Sequence, residues 1–303
     1  MIHQSFSLRA KHWVFFSVER IIGLTRTSER NLASERNLGL NVIWRLTGIG
    51  NESMSQSPRF LTVLPVFNEE LTVNGVLDLV AQYADDVLVV DDGSTDGTSG
   101  LLADRDDIIL HSHEVNQGYG AALISGFRYA EENGYQYVVT IDCDGQHEPQ
   151  RIQDFVARIE SSGADIVSGS RYLEEFDEDT SAPAERRKIN QVITQTIGES
   201  MGIELTDAFC GFKAYRVEAM KKLRLTETGY AMPLELWVQA ACRKLTVVEV
   251  AVPRIYLDEN RSFGETLDDA NTRLQYYNDV INAALKRLPV GSDCEKLREQ
   301  RVG

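Results

Sequence analysis

From residue 60 onward, short apolar runs alternate with helical patterns, and each run stops at a polar cluster. The runs cover 60–66, 86–90, 108–111, 137–141 and 164–168. Between the first two, Val73, Val76, Leu77 and Val80 fall at helical spacing, and Gly118-Tyr119-Gly120 opens an Ala-rich helix over about 121–133. Pro149 suits the first turn of another helix. Strands alternating with helices predict a mostly parallel sheet flanked by helices, an α/β fold. Ligands of such sheets bind beyond the carboxyl ends of the strands. The polar clusters fall there: Asn68-Glu69, Asp91-Asp92, Asn116, Asp142 with Asp144, and Arg171.

After Arg171 the pattern loosens. It reads as an acidic loop (174–180), a helix (184–201) with Arg186-Arg187-Lys188 near its start, a loop and strand (207–215), a helix (234–243) and a Val-rich strand (245–256). A polar loop (258–266) and an amphipathic helix (267–288) follow. That last helix can rest on a membrane surface with Lys286 and Arg287 toward headgroups. Packing on its own domain is the commoner use of such a face.

The chemistry concentrates in Thr140-Ile141-Asp142-Cys143-Asp144-Gly145-Gln146-His147. Were this segment extended, alternate residues would point one way, and Asp142, Asp144 and Gln146 would converge. Three oxygen donors suit a hard cation, Mg2+ or Mn2+. Only His147 among the five histidines stands beside these candidate ligands.

The chain of 303 residues carries a net charge of −15, which excludes a general nucleic-acid binder. Four scattered cysteines read as free thiols and a cytoplasmic protein rather than a disulfide framework or zinc site. Residues 1–53 differ in charge, with seven Lys and Arg against four Glu, and repeat Ser-Glu-Arg-Asn-Leu at 28–32 and 34–38. They read as an unstructured or spurious extension ahead of Met54, in preference to a targeting or membrane segment. One catalytic domain is expected over 54–290, then a polar tail over 291–303. No run of about 18 apolar residues predicts a membrane-spanning helix.

Other motifs have ordinary alternatives. Asp91-Asp92-Gly93-Ser94 can bind a base or ribose, or simply turn a strand into a capped helix. Asn116-Gln117-Gly118-Tyr119-Gly120 can bring backbone N–H groups to a phosphate, or be a structural turn. It is neither a Walker loop nor a dinucleotide fingerprint. Asp207-Ala208-Phe209-Cys210-Gly211-Phe212-Lys213 places a carboxylate before a strand, where a cap or turn competes with function. No Gly-x-Ser-x-Gly elbow supports a serine hydrolase.

The ordered set Pro65-Val66-Phe67-Asn68-Glu69, Asp91-Asp92-Gly93-Ser94, Asn116-Gln117-Gly118, Asp142-Cys143-Asp144-Gly145-Gln146-His147 and Gly169-Ser170-Arg171 resembles family-2 inverting glycosyltransferases. Asp207, Gly211-Phe212 and Arg261 with Gly264 look like the dolichyl-phosphate mannosyltransferase and polyprenyl-phosphate sugar transferase branch. The resemblance spans about 60–266 and implies a fold of the glycosyltransferase-A type. It implies that Pro65, Asn68, Glu69 and Asp92 line a nucleotide pocket. Asp142, Asp144 and Gln146 match the metal and sugar-diphosphate site. Asp207 matches an acidic residue near the reacting centre, and Arg171 and Arg261 match cations facing phosphates.

The implied reaction is inverting, metal-dependent transfer of a sugar from a nucleoside diphosphate sugar. GDP-mannose is the first candidate donor and UDP-glucose the next. The implied acceptor is a polyprenyl phosphate, with peripheral contact at the inner face of a membrane. An anionic phosphate acceptor needs no base, whereas a hydroxyl acceptor would need Asp207 as one. A sugar nucleotidyltransferase and a non-catalytic nucleotide-sugar binder are the alternatives. The first should carry a Gly-rich triphosphate loop where Pro65–Glu70 stands.

Overall fold

The computed structural model describes residues 59–257 and 267–289. The expected extension (1–53), the polar tail (291–303) and Arg261 lie outside the described residues.

The described chain forms β1 (Phe60–Val66), α1 (Val73–Val80), β2 (Val87–Asp91), α2 (Thr98–Ala103), β3 (Ile109–Ser112), α3 (Tyr119–Glu132) and β4 (Tyr137–Thr140). A 3-10 turn (Pro149–Arg151) leads into α4 (Ile152–Ser162), followed by β5 (Ile166–Ser170) and α5 (Ala184–Met201). Then come β6 (Lys213–Arg216), α6 (Val217–Met220), α7 (Met232–Cys242), β7 (Val247–Ala251) and α8 (Ala270–Arg287). The strand order is β3-β2-β1-β4-β6-β5-β7. All neighbours are parallel except β6, which runs against β4 and β5.

Both faces of the sheet are buried, so the central strands are apolar at nearly every position. Leu61 and Val63 of β1 face α3, α5, α7 and α8, while Leu64 and Val66 face α1 and α4. Pro65 sits in the middle of the sheet without breaking it. Residues 62, 64 and 66 turn their backbone groups toward β2, as the Asp92 N–H donating to Val66 O shows (2.8 Å). Val63 turns toward β4, where its carbonyl accepts from Ile141 N (3.1 Å). The register with β4 ends at Val63 opposite Thr140. The absent N–H of Pro65 therefore faces past the end of β4 and costs no ladder bond.

Three expectations change. The long Val-rich strand shortens to Val247–Ala251. The last helix starts at Ala270, where the Asp269 carboxylate accepts from Thr272 N. Its Tyr277, Val280, Ile281, Ala284 and Leu285 are buried in the core, and Arg287 pairs with Glu235, so this face is not offered to a membrane. Cys143 and Cys210 are buried free thiols as expected, but Cys242 is disulfide-bonded. Among the described residues no helix is long and apolar enough to cross a membrane.

Candidate active site

The clusters predicted at the strand ends follow β1 to β5, whose carboxyl ends lie along one edge of the sheet. At the β1 end, Asn68 adopts a left-handed conformation (φ 56°) that Asn tolerates better than most residues. Its N–H donates to Ser94 Oγ (3.0 Å), and its Oδ1 accepts from Thr95 N (2.8 Å). Glu69 N donates to Thr98 Oγ1 (2.9 Å), and the Glu69 carboxylate accepts from Thr72 Oγ1 (2.8 Å). Asn68 is exposed, and Pro65 and Glu69 are half-buried. These bonds fasten the β1 loop to the β2 loop and build one wall.

Asp92 has a different place from the one its motif suggests. It is buried, and its carboxylate accepts from Gln117 N (2.9 Å), Gly118 N (2.7 Å) and the His113 ring (2.6 Å). The other His113 nitrogen meets Ser125 Oγ (2.9 Å). This Asp–His–Ser chain has the outline of a nucleophile relay, but Ser125 is set within α3 and the His113 and Asp92 side chains are buried. It anchors the loop from His113 to Gly118. The N–H groups of Gln117 and Gly118 are consumed by Asp92, and that of Ala121 by Thr228 O. These three amides are therefore not free for a phosphate, in keeping with the structural turn that was the other reading of this motif.

Asp142 stands just beyond β4. Tyr119 OH donates to its Oδ1 (2.9 Å), and the His147 ring meets its Oδ2 (3.2 Å). On its other side the carboxylate packs directly against Gly211, which only glycine allows: a Cβ there would stand 2.1 Å from Asp142 Oδ2. Burial pushes the Asp142 carboxyl up, but His147, Tyr119 and the Lys213 charge outweigh it and hold the group below the ordinary carboxylate range. The Asp142 side chain remains 26% exposed.

The segment after Asp142 is not extended. It turns at Gly145 (φ 74°), and Gln146 folds back so that its N–H and Nε2 donate to Asp144 at 3.0 and 2.9 Å. The three-donor convergence expected from alternation thus gives way to a linked Asp144–Gln146 pair beyond Asp142. Among the described residues no three His, Cys, Asp or Glu side chains form a cage for a metal. Two reachable carboxylates still fit Mg2+ or Mn2+, because such ions commonly take one or two carboxylates and fill their other positions with phosphate and water.

Arg171 follows β5 and forms a bidentate pair with Asp207: Nε to Oδ2 at 2.7 Å and Nη2 to Oδ1 at 3.0 Å. Asn190 Nδ2 (2.7 Å) and Phe209 N (3.1 Å) also donate to Asp207. Asp207 is 0% exposed and the Arg171 side chain 16%. Burial raises the Asp207 carboxyl, yet the Arg171 charge and these hydrogen bonds drive it far below the ordinary range. Its acceptor capacity is used and its proton affinity is low, a poor arrangement for a general base. Lys213, fully buried in β6, donates to Cys210 O and lies near the charges of Asp207 and Asp142.

Beside Arg171 opens a cleft of about 530 Å³ lined by Tyr172, Leu173, Glu174, Glu175, Arg187 and Arg254. The Arg187 guanidinium lies 3.5 Å from the Tyr172 ring centroid. Among the described residues no carboxylate pairs with Arg187, whereas Arg254 pairs with Asp179 (3.3 Å). Sequence reading gave no role to His113 or Asn190, nor to Tyr119 and Lys213 within their motifs. Arg187 was visible only as part of the run Arg186-Arg187-Lys188.

The family model described as Glycosyl transferase family 2 matches residues 62–224. A polyprenol monophosphomannose synthase from Mycolicibacterium smegmatis is 30% identical over 220 residues, 69% of this chain and 82% of that protein. An undecaprenyl-phosphate mannosyltransferase from Micrococcus luteus is 31% identical over 219 residues, 69% of this chain and 86% of that protein. The structure of glucosyl-3-phosphoglycerate synthase from Mycobacterium tuberculosis with Mn2+, UDP and phosphoglyceric acid shares the fold, at TM-score 0.58 and 20% identity over 78% of this chain and 81% of that one. The sheet order, the clusters at its carboxyl edge and these likenesses agree: the fold is of the glycosyltransferase-A type, and the chain is a glycosyltransferase that belongs to glycosyl transferase family 2.

Proposed function

We propose that this glycosyltransferase moves a hexose, mannose from GDP-mannose first and glucose from UDP-glucose next, onto a polyprenyl phosphate. The observation that carries the reading is Arg187. Its cation is stacked on Tyr172, no carboxylate among the described residues pairs with it, and with Arg254, Glu174 and Glu175 it lines an open cleft next to Arg171. In a chain of net charge −15, such a cation suits an anionic acceptor. The names of the two mannosyl-transferring relatives support the same acceptor and sugar.

The donor's diphosphate is assigned to Asp142 and Asp144, with the nucleoside along the wall made by Pro65, Asn68 and Glu69. When bound there, Mg2+ or Mn2+ would offset the negative charge of the departing diphosphate. Asp92 and Gly118 act from behind that wall, by fixing the loop from His113 to Gly118. The acceptor phosphate oxygen is already anionic at neutral pH, so no side chain need remove a proton. Asp207 then serves to orient Arg171 rather than as a base. Exposed Leu173 and Leu257 flank the same edge and suit peripheral contact with the membrane that holds the lipid.

A kinetic split tests the assignment. Arg187→Gln removes a charge-assisted contact, and the KM for polyprenyl phosphate should rise about tenfold. The KM for the nucleotide sugar should stay unchanged. An unchanged acceptor KM, or a rise confined to the donor, would refute the role of Arg187.

A further inference from the structure

The hydroxyl of Tyr119 touches the donor-site carboxylate, and no motif required a tyrosine there. Tyr119 is the first residue of α3, and its ring is stacked on Tyr230 at 5.8 Å between centroids and 19° between planes. We propose that Tyr119 is a positioning residue for Asp142, held in register by the segment from Thr226 to Tyr230. The inference rests on the assignment of Asp142 to the donor and metal site made above.

The segment is itself firmly placed. Buried Glu235 of α7 accepts from Thr226 N (2.7 Å), Glu227 N (2.6 Å) and Thr226 Oγ1 (3.0 Å). Tyr276 OH of α8 donates to the Glu227 carboxylate (2.6 Å). Thr228 O accepts from Ala121 N (3.1 Å), in the first turn of α3. Gly118 lets the two segments meet: its φ is 106°, and a Cβ there would stand 2.4 Å from Thr228 O. The path therefore runs from Glu235 through Thr226–Tyr230 to the Tyr119 ring, and from the Tyr119 hydroxyl to Asp142 Oδ1. His147 holds only Oδ2. Without the hydroxyl, the carboxylate keeps one side-chain donor and loses the bond that fixes Oδ1. Tyr230 is 42% exposed, so the outer ring of the stack faces solvent at the mouth of the site.

The test is Mn2+ binding, followed by electron paramagnetic resonance on the full chain with saturating GDP and again with UDP. Wild type, Y119F, Y230F, Y230A and D142N are compared, with thermal melts of each. Y119F keeps the ring stack and should melt like wild type, yet bind Mn2+ about tenfold more weakly, the scale of losing a group that orients a ligand. Y230F, which keeps the ring stack, should bind Mn2+ more tightly than Y230A. Y230A should fall between wild type and Y119F. Wild-type affinity in Y119F, with binding lost in D142N, would overturn the positioning role alone. Wild-type affinity in both Y119F and D142N, or no Mn2+ binding to the wild type with either nucleotide, would overturn the metal assignment beneath it as well.

Discussion

Replacing Asp207 by Asn separates two roles for that carboxylate. In the structure it accepts from Arg171 N, Nε and Nη2, Asn190 Nδ2 and Phe209 N. Asn retains one acceptor oxygen and turns an NH2 group toward donors, whichever way it flips. Arg171, 16% exposed, is left without its counter-charge. Breaking a buried pair from one side costs about 3–5 kcal/mol, and the partial exposure of Arg171 places the expectation near the lower figure, about 3 kcal/mol. For a chain of this size that lowers the melting temperature by roughly 6–12 °C. Removing the orphaned cation as well, in D207N with Arg171→Met, should restore about half of the loss.

The pH dependence has a definite sign. The Asp207 carboxyl is held below its ordinary value, so its stabilisation is present above the unfolded pKa, about 4, and is lost as pH falls toward the folded value. The stability gap between wild type and D207N should therefore narrow in acid and stay constant through neutrality. In transfer assays, loosening Arg171 should raise the acceptor KM and leave kcat within about tenfold, whereas loss of a general base costs about 10²–10⁴ in kcat. An unchanged melting temperature with a collapsed kcat and an intact acceptor KM would refute the positioning account and restore Asp207 as a base.

Two further substitutions probe the frame. Gly211→Ala puts a methyl group against the Asp142 carboxylate, so nucleotide-sugar affinity should fall at least tenfold while overpacking costs about 1–3 kcal/mol, read by calorimetric binding and melting. Affinity equal to wild type would show that Asp142 does not touch the donor. Pro65→Ala should change stability by no more than about 1 kcal/mol in urea unfolding, because the proline nitrogen faces past the end of β4. A larger loss would contradict that reading of the β1 edge.

The parallel sheet and the positions of its polar clusters were legible because both faces are buried. Such strands read as unbroken apolar runs, and the first polar residue marks where each leaves the core. What pattern could not show was how the clusters face one another. Asp92 looked like a ligand for the nucleotide, but its partners His113, Gln117 and Gly118 are more than twenty residues away and take its oxygens. Arg171 and Asp207 stand 36 positions apart and were read as two independent groups. The Gly145 turn breaks the period of two on which the three-donor metal site was built. Lys213 resembled any strand lysine, and only the fold buries it beside Asp142 and Asp207. The last helix was recognisable as amphipathic, but amphipathicity alone does not distinguish a membrane from a neighbouring helix as what covers its face.

The central claim is the acceptor, and one transfer screen addresses it. The full chain is incubated with GDP-mannose, UDP-glucose or UDP-N-acetylglucosamine and Mg2+ or Mn2+, each with and without a short polyprenyl phosphate, and nucleotide release is followed. The account predicts metal-dependent release from one donor, GDP-mannose first, that rises with the lipid phosphate and yields a glycosylated lipid phosphate. Release indifferent to the lipid, with sugar passing to a hydroxyl acceptor instead, would contradict it.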